Sequence, residues 1–233
     1  MFKYFTDVKP SGRGEFELGD AVKELSKPFS VQVVSVKEWW KPCSYPWDLL
    51  EINEHIILKK DMQRVVHPDS IIEEGVRIKG FVSVGEGTIL KSGTYIEGAV
   101  VFGKNCVIGP DAYFFGASSI GDYCEIGPGT KVKNSVIGDY TKAKHDAYIG
   151  DSVLGEHVNC AHDITLTNWR SDEAEVKSMY NRILVGTGRT KFGAVIGDGV
   201  KISVGTRVMP GRKLWPNTTT MPNEVVMKDK VVE

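Results

Sequence analysis

Residues 72–131 read IEEGVR-IKGFVS-VGEGTI-LKSGTY-IEGAVV-FGKNCV-IGPDAY-FFGASS-IGDYCE-IGPGTK when cut into sixes. The first residue of each six is aliphatic or Phe, and the fifth is Val, Thr, Ala, Ser or Cys. The second is often glycine, as at Gly85, Gly103, Gly109, Gly121 and Gly127. Neither a 3.6-residue helical period nor strict alternation fits this beat. Two inward positions per six, with a glycine-tolerant corner, describe one flat side of a prism. Three sides make a lap of about 18 residues, and hexapeptide periods belong to parallel β-helices. Each lap would lie about 4.8 Å from the next, the ordinary strand spacing. One lap cannot bury its inner face alone, so stacked neighbours complete the core.

The beat drops one residue after Val132 and resumes at Ile137, Ala143 and Ile149. It drops another and continues at Leu154, Cys160 and Leu166. Residues 167–193 are polar and charged, which predicts a loop or hairpin excursion; long insertions in compact folds are usually functional. The beat returns at Ile196, Ile202, Val208 and Leu214, and NEVVMKDKVVE (223–233) reads as a terminal cap. Residues 1–65 differ in kind. EFELGDAVKELSK predicts a helix through Leu18, Ala21, Val22 and Leu25, FSVQVVSV a strand, and YPWDLLEINEHIILKKD a second helix with Pro46 near its start. The expected organisation is a helix–strand–helix segment over 1–65 and a β-helix over 66–233 with an insertion at 167–193. In class terms this is an all-β fold with a short α/β N-terminal segment.

The 233 residues carry 29 Lys and Arg against 30 Asp and Glu, for a net charge of −1. A near-neutral chain with dispersed basic residues argues against nucleic acid as the main partner. The sequence lacks the run of about 18 apolar residues that a membrane span needs. Its N-terminal stretch has no apolar signal-peptide core. Of four cysteines without CxxC spacing, the two at predicted interior positions read as buried free thiols in a reducing cytoplasm.

Sides beginning at Ile108, Ile126, Ala143 and Cys160 fall on one face in successive laps. Their third residues form a column Pro110, Pro128, His145, His162, and their fourth a column Asp111, Gly129, Asp146, Asp163. Two His-Asp pairs therefore stack in register on an outer surface. Neighbouring imidazoles resist simultaneous protonation, so one would remain a proton acceptor at neutral pH, while a carboxylate beside each acts in the opposite sense.

VKNSVIGDYTKAKHDAYIGDSVLGEHVN (132–159) contains K-x-x-H-x-x-Y-x-G-D as Lys142, His145, Tyr148, Gly150 and Asp151. Here the chain resembles the acetyltransferase part of the bifunctional glucosamine-1-phosphate acetyltransferase/uridylyltransferases, in particular the archaeal-type sugar-1-phosphate nucleotidylyltransferase/acetyltransferases. The resemblance implies a left-handed β-helix, acetyl-CoA as co-substrate, an amino-sugar 1-phosphate as acceptor, and a homotrimer with sites between neighbouring prisms. By position, His145 takes the role of general base. Lys133 and Tyr148 fall on sugar-phosphate contacts, and Asn159 on an asparagine that holds the sugar or acetyl group. Asn168 and Trp169 fall near the sugar and the pantetheine arm, and Arg189 and Lys191 on phosphate contacts of the cofactor, where charged donors serve best. His162 falls, as a cofactor contact, where small residues of the family let the acetyl thioester approach backbone N–H groups, so with Asp163 it either blocks that approach or rebuilds the site. The plainer alternatives are solvated charges for Lys133, Arg189 and Lys191, surface-covering rings for Tyr148 and Trp169, and a capping corner residue for Asn159.

Departures accompany the match. Ala161-His162-Asp163 replaces a Gly-Ala-Gly of the family, Lys131 an acidic residue, and Tyr113 and Phe115 an arginine or comparable polar contact. RGEFELGDAVKEL and YPWDLLEINEHI are similar to the last piece of the family's nucleotidylyltransferase domain, but Pro42 stands at the position of a metal-holding aspartate. Nucleotidyl transfer is therefore not expected. Two competing readings stay open. One is a non-catalytic or regulatory relative that kept the scaffold. The other is a metal site of β-helical carbonic-anhydrase type, using His145, His162 and His157 with Asp146 or Asp163.

Overall fold

The computed structural model describes residues 8–12, 14–59 and 64–232. They divide into two units, Met1–Lys41 and Pro42–Glu233. In the first, helix α1 spans Leu18–Leu25, with Ala21 buried. The strand expected over 29–36 does not form, and Val33 and Val34 are 88% and 77% exposed. Among the described residues no strand pairs with this run, and a β-prone run without a paired strand gains too little to order as one.

The second unit is a parallel β-helix with three walls. The first wall stacks Ile71–Ile72, Ile89–Leu90, Val107–Ile108, Glu125–Ile126, Lys142–Ala143, Asn159–Cys160 and Lys201–Ile202. The second runs from Arg77–Lys79 to Val225–Val226, and the third from Val65–Val66 to Lys213–Leu214. Strands Tyr95–Phe102 and Tyr113–Ile120 are long enough to pass through both of these walls. In register, 18 residues separate Val107 from Glu125, and 17 separate Glu125 from Lys142. The missing residue is lost at the corner between the second and third walls, where Phe115 pairs with Lys133 but Ser119 with Val136.

The repeat places the core as expected. The first residues of the sixes, from Val84 to Ile126, are buried, and Thr88, Thr94, Val100, Cys106, Ala112, Ser118, Cys124 and Thr130 line the second inward column. Burying each large aliphatic or aromatic side chain contributes on the order of 1.5–3 kcal/mol. Polar members of the second column stay satisfied by bridging rungs: Thr88 Oγ1 donates to the Gly103 carbonyl at 2.7 Å and accepts from Cys106 N at 2.9 Å. Ile72 and Ile78, in the first lap, are only partly buried because they have a neighbour on one side. Cys160 joins Cys106 and Cys124 in the interior, so three thiols are buried rather than two, and burial pushes Cys160 up to about 12.

Corners show where side chains must yield. A Cβ on Gly98 would lie 2.3 Å from the Gly116 carbonyl oxygen, so the wide second-to-third corner needs glycine. At the third-to-first corner, Asn105, Tyr123, Tyr140 and His157 all have φ between 53° and 57°, and the three rings stack, Tyr123 on Tyr140 at 4.9 Å and Tyr140 on His157 at 4.6 Å.

Helix α2, Asp48–Ile57, covers the third wall. Asp48 accepts from Ser44 N and Tyr45 N, both at 2.9 Å, and fixes its entry. Trp47 and Leu50 pack with Val153, Val176 and Phe192, and Asn53 bonds Ser119 and the Ala117 carbonyl. The insertion is a hairpin, Lys177–Tyr180 against Ile183–Gly186. Its two turn residues, Asn181 and Arg182, have φ of 46° and 64° and match the twist of the flanking strands. The C-terminal stretch extends the coil rather than only closing it: Val225–Val226 pairs with Arg207–Val208, and Lys230 bridges to Leu214.

Candidate functional site

Two corners of the second wall carry the predicted site residues. At the first-to-second corner, the pairing of Lys142 with Asn159 and of Ala143 with Cys160 puts His145 and His162 at equivalent positions in adjacent rungs. The two following aspartates adopt φ of 47° and 56°, the left-handed corner conformation that Gly75, Gly93, Gly129 and Gly205 take in the same column. Short polar side chains tolerate this conformation, so each aspartate has a backbone reason to be there. The side-chain pairing runs across rungs: His162 Nε2 lies 3.5 Å from Asp146 Oδ2, and Arg207 Nη2 lies 2.9 Å from Asp163 Oδ2. His162 and Asp146 are 60% and 64% exposed, as befits a corner open to a ligand.

The second-to-third corner is closed. Asp151 is 1% exposed at φ 46°. Its Oδ2 accepts from Lys133 Nζ at 3.0 Å and from Asn168 Nδ2, and its Oδ1 accepts from Asn134 Nδ2 at 3.2 Å. Its backbone N donates to the Lys133 carbonyl at 2.7 Å, and its carbonyl accepts from Gly193 N at 2.8 Å, which ties in the returning end of the insertion. Tyr148 lies beside it. Burial pushes the Tyr148 phenol up, the Asp151 charge adds to that, and a hydrogen bond with Asn168 opposes it. Lys133, Tyr148 and Asn168, three residues marked from the sequence, thus meet around a carboxylate given no role there. The signal was present: the motif ends in Asp151, at a corner where earlier laps carry Gly98, Gly116 and Asn134.

The remaining marked residues sort by place. Trp169 and Lys191 form an antiparallel bridge at the root of the insertion, Arg189 Nε donates to the Lys191 carbonyl at 3.3 Å, and Phe192 N donates to the Asn168 carbonyl at 3.0 Å. Asn159 lies apart on the first wall, between Lys142 and Lys201. Above Tyr148, the second wall presents Lys131 and then a ring cluster, with Tyr113 stacked on Tyr95 at 5.4 Å and on Phe115 at 4.8 Å. The metal-binding set is not assembled: His157 stands at the third-to-first corner under Tyr140, and no group of three or more His, Cys, Asp or Glu among the described residues is placed to hold a metal.

The fold defines the chain as a hexapeptide-repeat parallel β-helix with an α2-covered wall. The GMPPB C-terminal domain family model matches residues 61–169. The chain is similar in sequence to the bifunctional proteins that the motif pointed to. It is 35% identical to the bifunctional sugar-1-phosphate nucleotidylyltransferase/acetyltransferase of Sulfurisphaera tokodaii over 88% of this chain and 50% of that protein. With the bifunctional protein GlmU of Methanococcus aeolicus it shares 38% identity over 34% of this chain and 21% of the relative. The chain thus spans half or less of these relatives. Among solved structures, it is similar to the UDP-N-acetylglucosamine O-acyltransferase of Moraxella catarrhalis, with a TM-score of 0.43 and 16% identity over 70% of this chain and 67% of that one. No helix among the described residues is long and apolar enough to cross a membrane.

Proposed function

We propose that the chain is a CoA-dependent N-acetyltransferase acting on an amino-sugar 1-phosphate. The observation that carries the reading is the meeting of Lys133, Tyr148 and Asn168 around Asp151, on the wall whose opposite edge bears His145. The name of the Sulfurisphaera tokodaii relative, an acetyltransferase joined to a nucleotidylyltransferase, supports it.

In this reading the amine nitrogen attacks the thioester carbon. A C–N bond forms, the C–S bond breaks, His145 takes the ammonium proton, and the CoA thiolate leaves and is reprotonated. General-base assistance of this kind contributes about 10²–10⁴-fold. Lys133 and Tyr148 hold the sugar phosphate, Asp151 fixes the lysine, and Asn168 and Asn159 orient the sugar. Trp169, Arg189 and Lys191 take the CoA arm and its phosphates. His162, drawn toward Asp146, replaces a small residue and offers a side-chain donor to the thioester oxygen. A homotrimer would bring a neighbour's wall against this one, and the reaction would run in the cytoplasm.

The test is thiol release from acetyl-CoA with glucosamine 1-phosphate or galactosamine 1-phosphate, comparing wild type with His145→Ala. Turnover that falls by two or more orders of magnitude in the variant supports the assignment. Turnover that survives the substitution removes His145 as the base. Inactivity of the wild type on every amino sugar tried would favour the regulatory relative.

A further inference from the structure

A cavity of about 700 Å³ lies between the hairpin of the insertion and the last rungs of the third wall, and its lining includes none of the side chains that build the two corners described above. Its lining includes Tyr180 and Arg182 from the hairpin, Val195, Lys213 and Trp215 from the wall, and Asp229 from the C-terminal stretch. The volume suits a drug-sized molecule. Tyr180 and Trp215 are 42% and 53% exposed, so both keep ring surface free for a ligand. Tyr180 is also braced: it packs edge-on against Tyr45 at 5.0 Å, which stacks on Trp47 at 4.5 Å. A fixed ring costs little entropy on binding.

Lys213 is the polar group of interest. Its Nζ donates to the Met179 carbonyl and sits 5.7 Å from the Trp47 ring centroid. Burial pushes its amine below the ordinary lysine value, Asp229 opposes that, and Arg212 adds to it. The Asp229 carboxylate meanwhile accepts from Lys213 N at 3.0 Å. The cavity therefore holds the cations Lys213 and Arg182 against one carboxylate. A cation partly withdrawn from water in a largely apolar cavity gains from an incoming anion.

We propose that this cavity binds a small aromatic anion, with its rings against Tyr180 and Trp215 and its acidic group against Lys213 and Arg182. The site shares no residue with the proposed acetyl-transfer machinery, so either assignment can fail without the other.

Two probes with the same ring body separate charge from hydrophobicity: 8-anilinonaphthalene-1-sulfonate and its neutral counterpart N-phenyl-1-naphthylamine, titrated by fluorescence into the full chain. The sulfonate is expected to bind once per chain and at least tenfold more tightly than the neutral probe. Lys213→Met should weaken the sulfonate tenfold or more and leave the neutral probe unchanged, while Lys213→Arg retains binding. Trp215→Ala should weaken both, with circular dichroism checking that the fold persists. Equal affinity for the two probes, binding of several probes per chain, or indifference of the sulfonate to Lys213→Met in a folded protein would overturn the proposal.

Discussion

The two edges of the second wall are built from the same repeat and solve opposite problems. At the second-to-third corner a buried carboxylate, Asp151, is surrounded by Lys133, Asn134 and Asn168. At the first-to-second corner His145, Asp146, His162 and Asp163 face outward; their backbones bond from rung to rung, as Asp163 N does to the His145 carbonyl, and the side-chain pairs His162–Asp146 and Arg207–Asp163 are exposed. The first corner to be disturbed by mutation should thus be the buried one, for stability. The exposed one can change its chemistry at little structural cost.

The largest effect tests the buried edge. Asp151→Ala removes the carboxylate from a lysine whose side chain is only 18% exposed and leaves two amides without their acceptor. Breaking a buried pair on one side costs about 3–5 kcal/mol. Urea unfolding should show that loss, with Asp151→Asn in between, since asparagine accepts the left-handed backbone and keeps part of the network. A loss under about 1 kcal/mol would mean that the two edges do not differ in kind.

The exposed edge should respond the other way. His145→Ala is expected to leave stability within about 0.5 kcal/mol, as surface substitutions do, while lowering acetyl transfer about 10²–10⁴-fold. Asp146→Asn should cost less than about 1 kcal/mol, because exposed ion pairs contribute little. If His145→Ala unfolds the chain, the corner is a structural element and the contrast disappears.

This contrast also marks what could be read before any coordinates. The inward columns were legible because burial imposes a period: Leu90, Ile108, Ile126, Ala143 and Cys160 recur wherever the first wall turns its face inside. The in-register position of His145 and His162 followed from counting laps. Polar pairing did not follow, because the period says which rung a side chain occupies and not toward which neighbour it leans. Hence His162 reaches Asp146 and not Asp163, and Asp163 is taken by Arg207, which lies beyond the insertion. The strand expected over 29–36 failed for a related reason. Its pattern was right for a strand, but pairing is a property of neighbours that a local run cannot supply.

The third corner offers an intermediate case. Tyr140 lies between Tyr123 and His157 in a ring ladder and has φ of 57°. Tyr140→Ala loses two ring contacts and keeps the backbone strain, for about 1 kcal/mol. Tyr140→Gly loses the same contacts but relieves a left-handed conformation of comparable cost. It should unfold within a few tenths of a kcal/mol of wild type, as the glycines at 87 and 199 in that column suggest. The reverse order, with alanine milder than glycine, would show that flexibility of the unfolded chain outweighs corner strain.

The smallest effect is electrostatic and sits on the first wall, where Glu125 pairs with Lys142. Glu125 is held below the usual carboxylate range, first by its bond to Lys142 at 2.8 Å and then by Lys144. A carboxyl whose folded-state value is depressed adds stability above its unfolded value, near 4.3. That stability is lost as pH falls through the lower folded value. With the glutamate side chain 30% exposed, solvent screening keeps the contribution to about 1 kcal/mol or less. Replacing Lys142 and Lys144 with alanine should lower stability at pH 7 by that amount, and the difference should shrink as pH falls through the depressed folded-state value. A gap that does not shrink as the pH is lowered would assign the lysines' contribution to packing of their stems along the wall rather than to charge, and the exposed edge would then resemble the buried one more closely than its geometry implies.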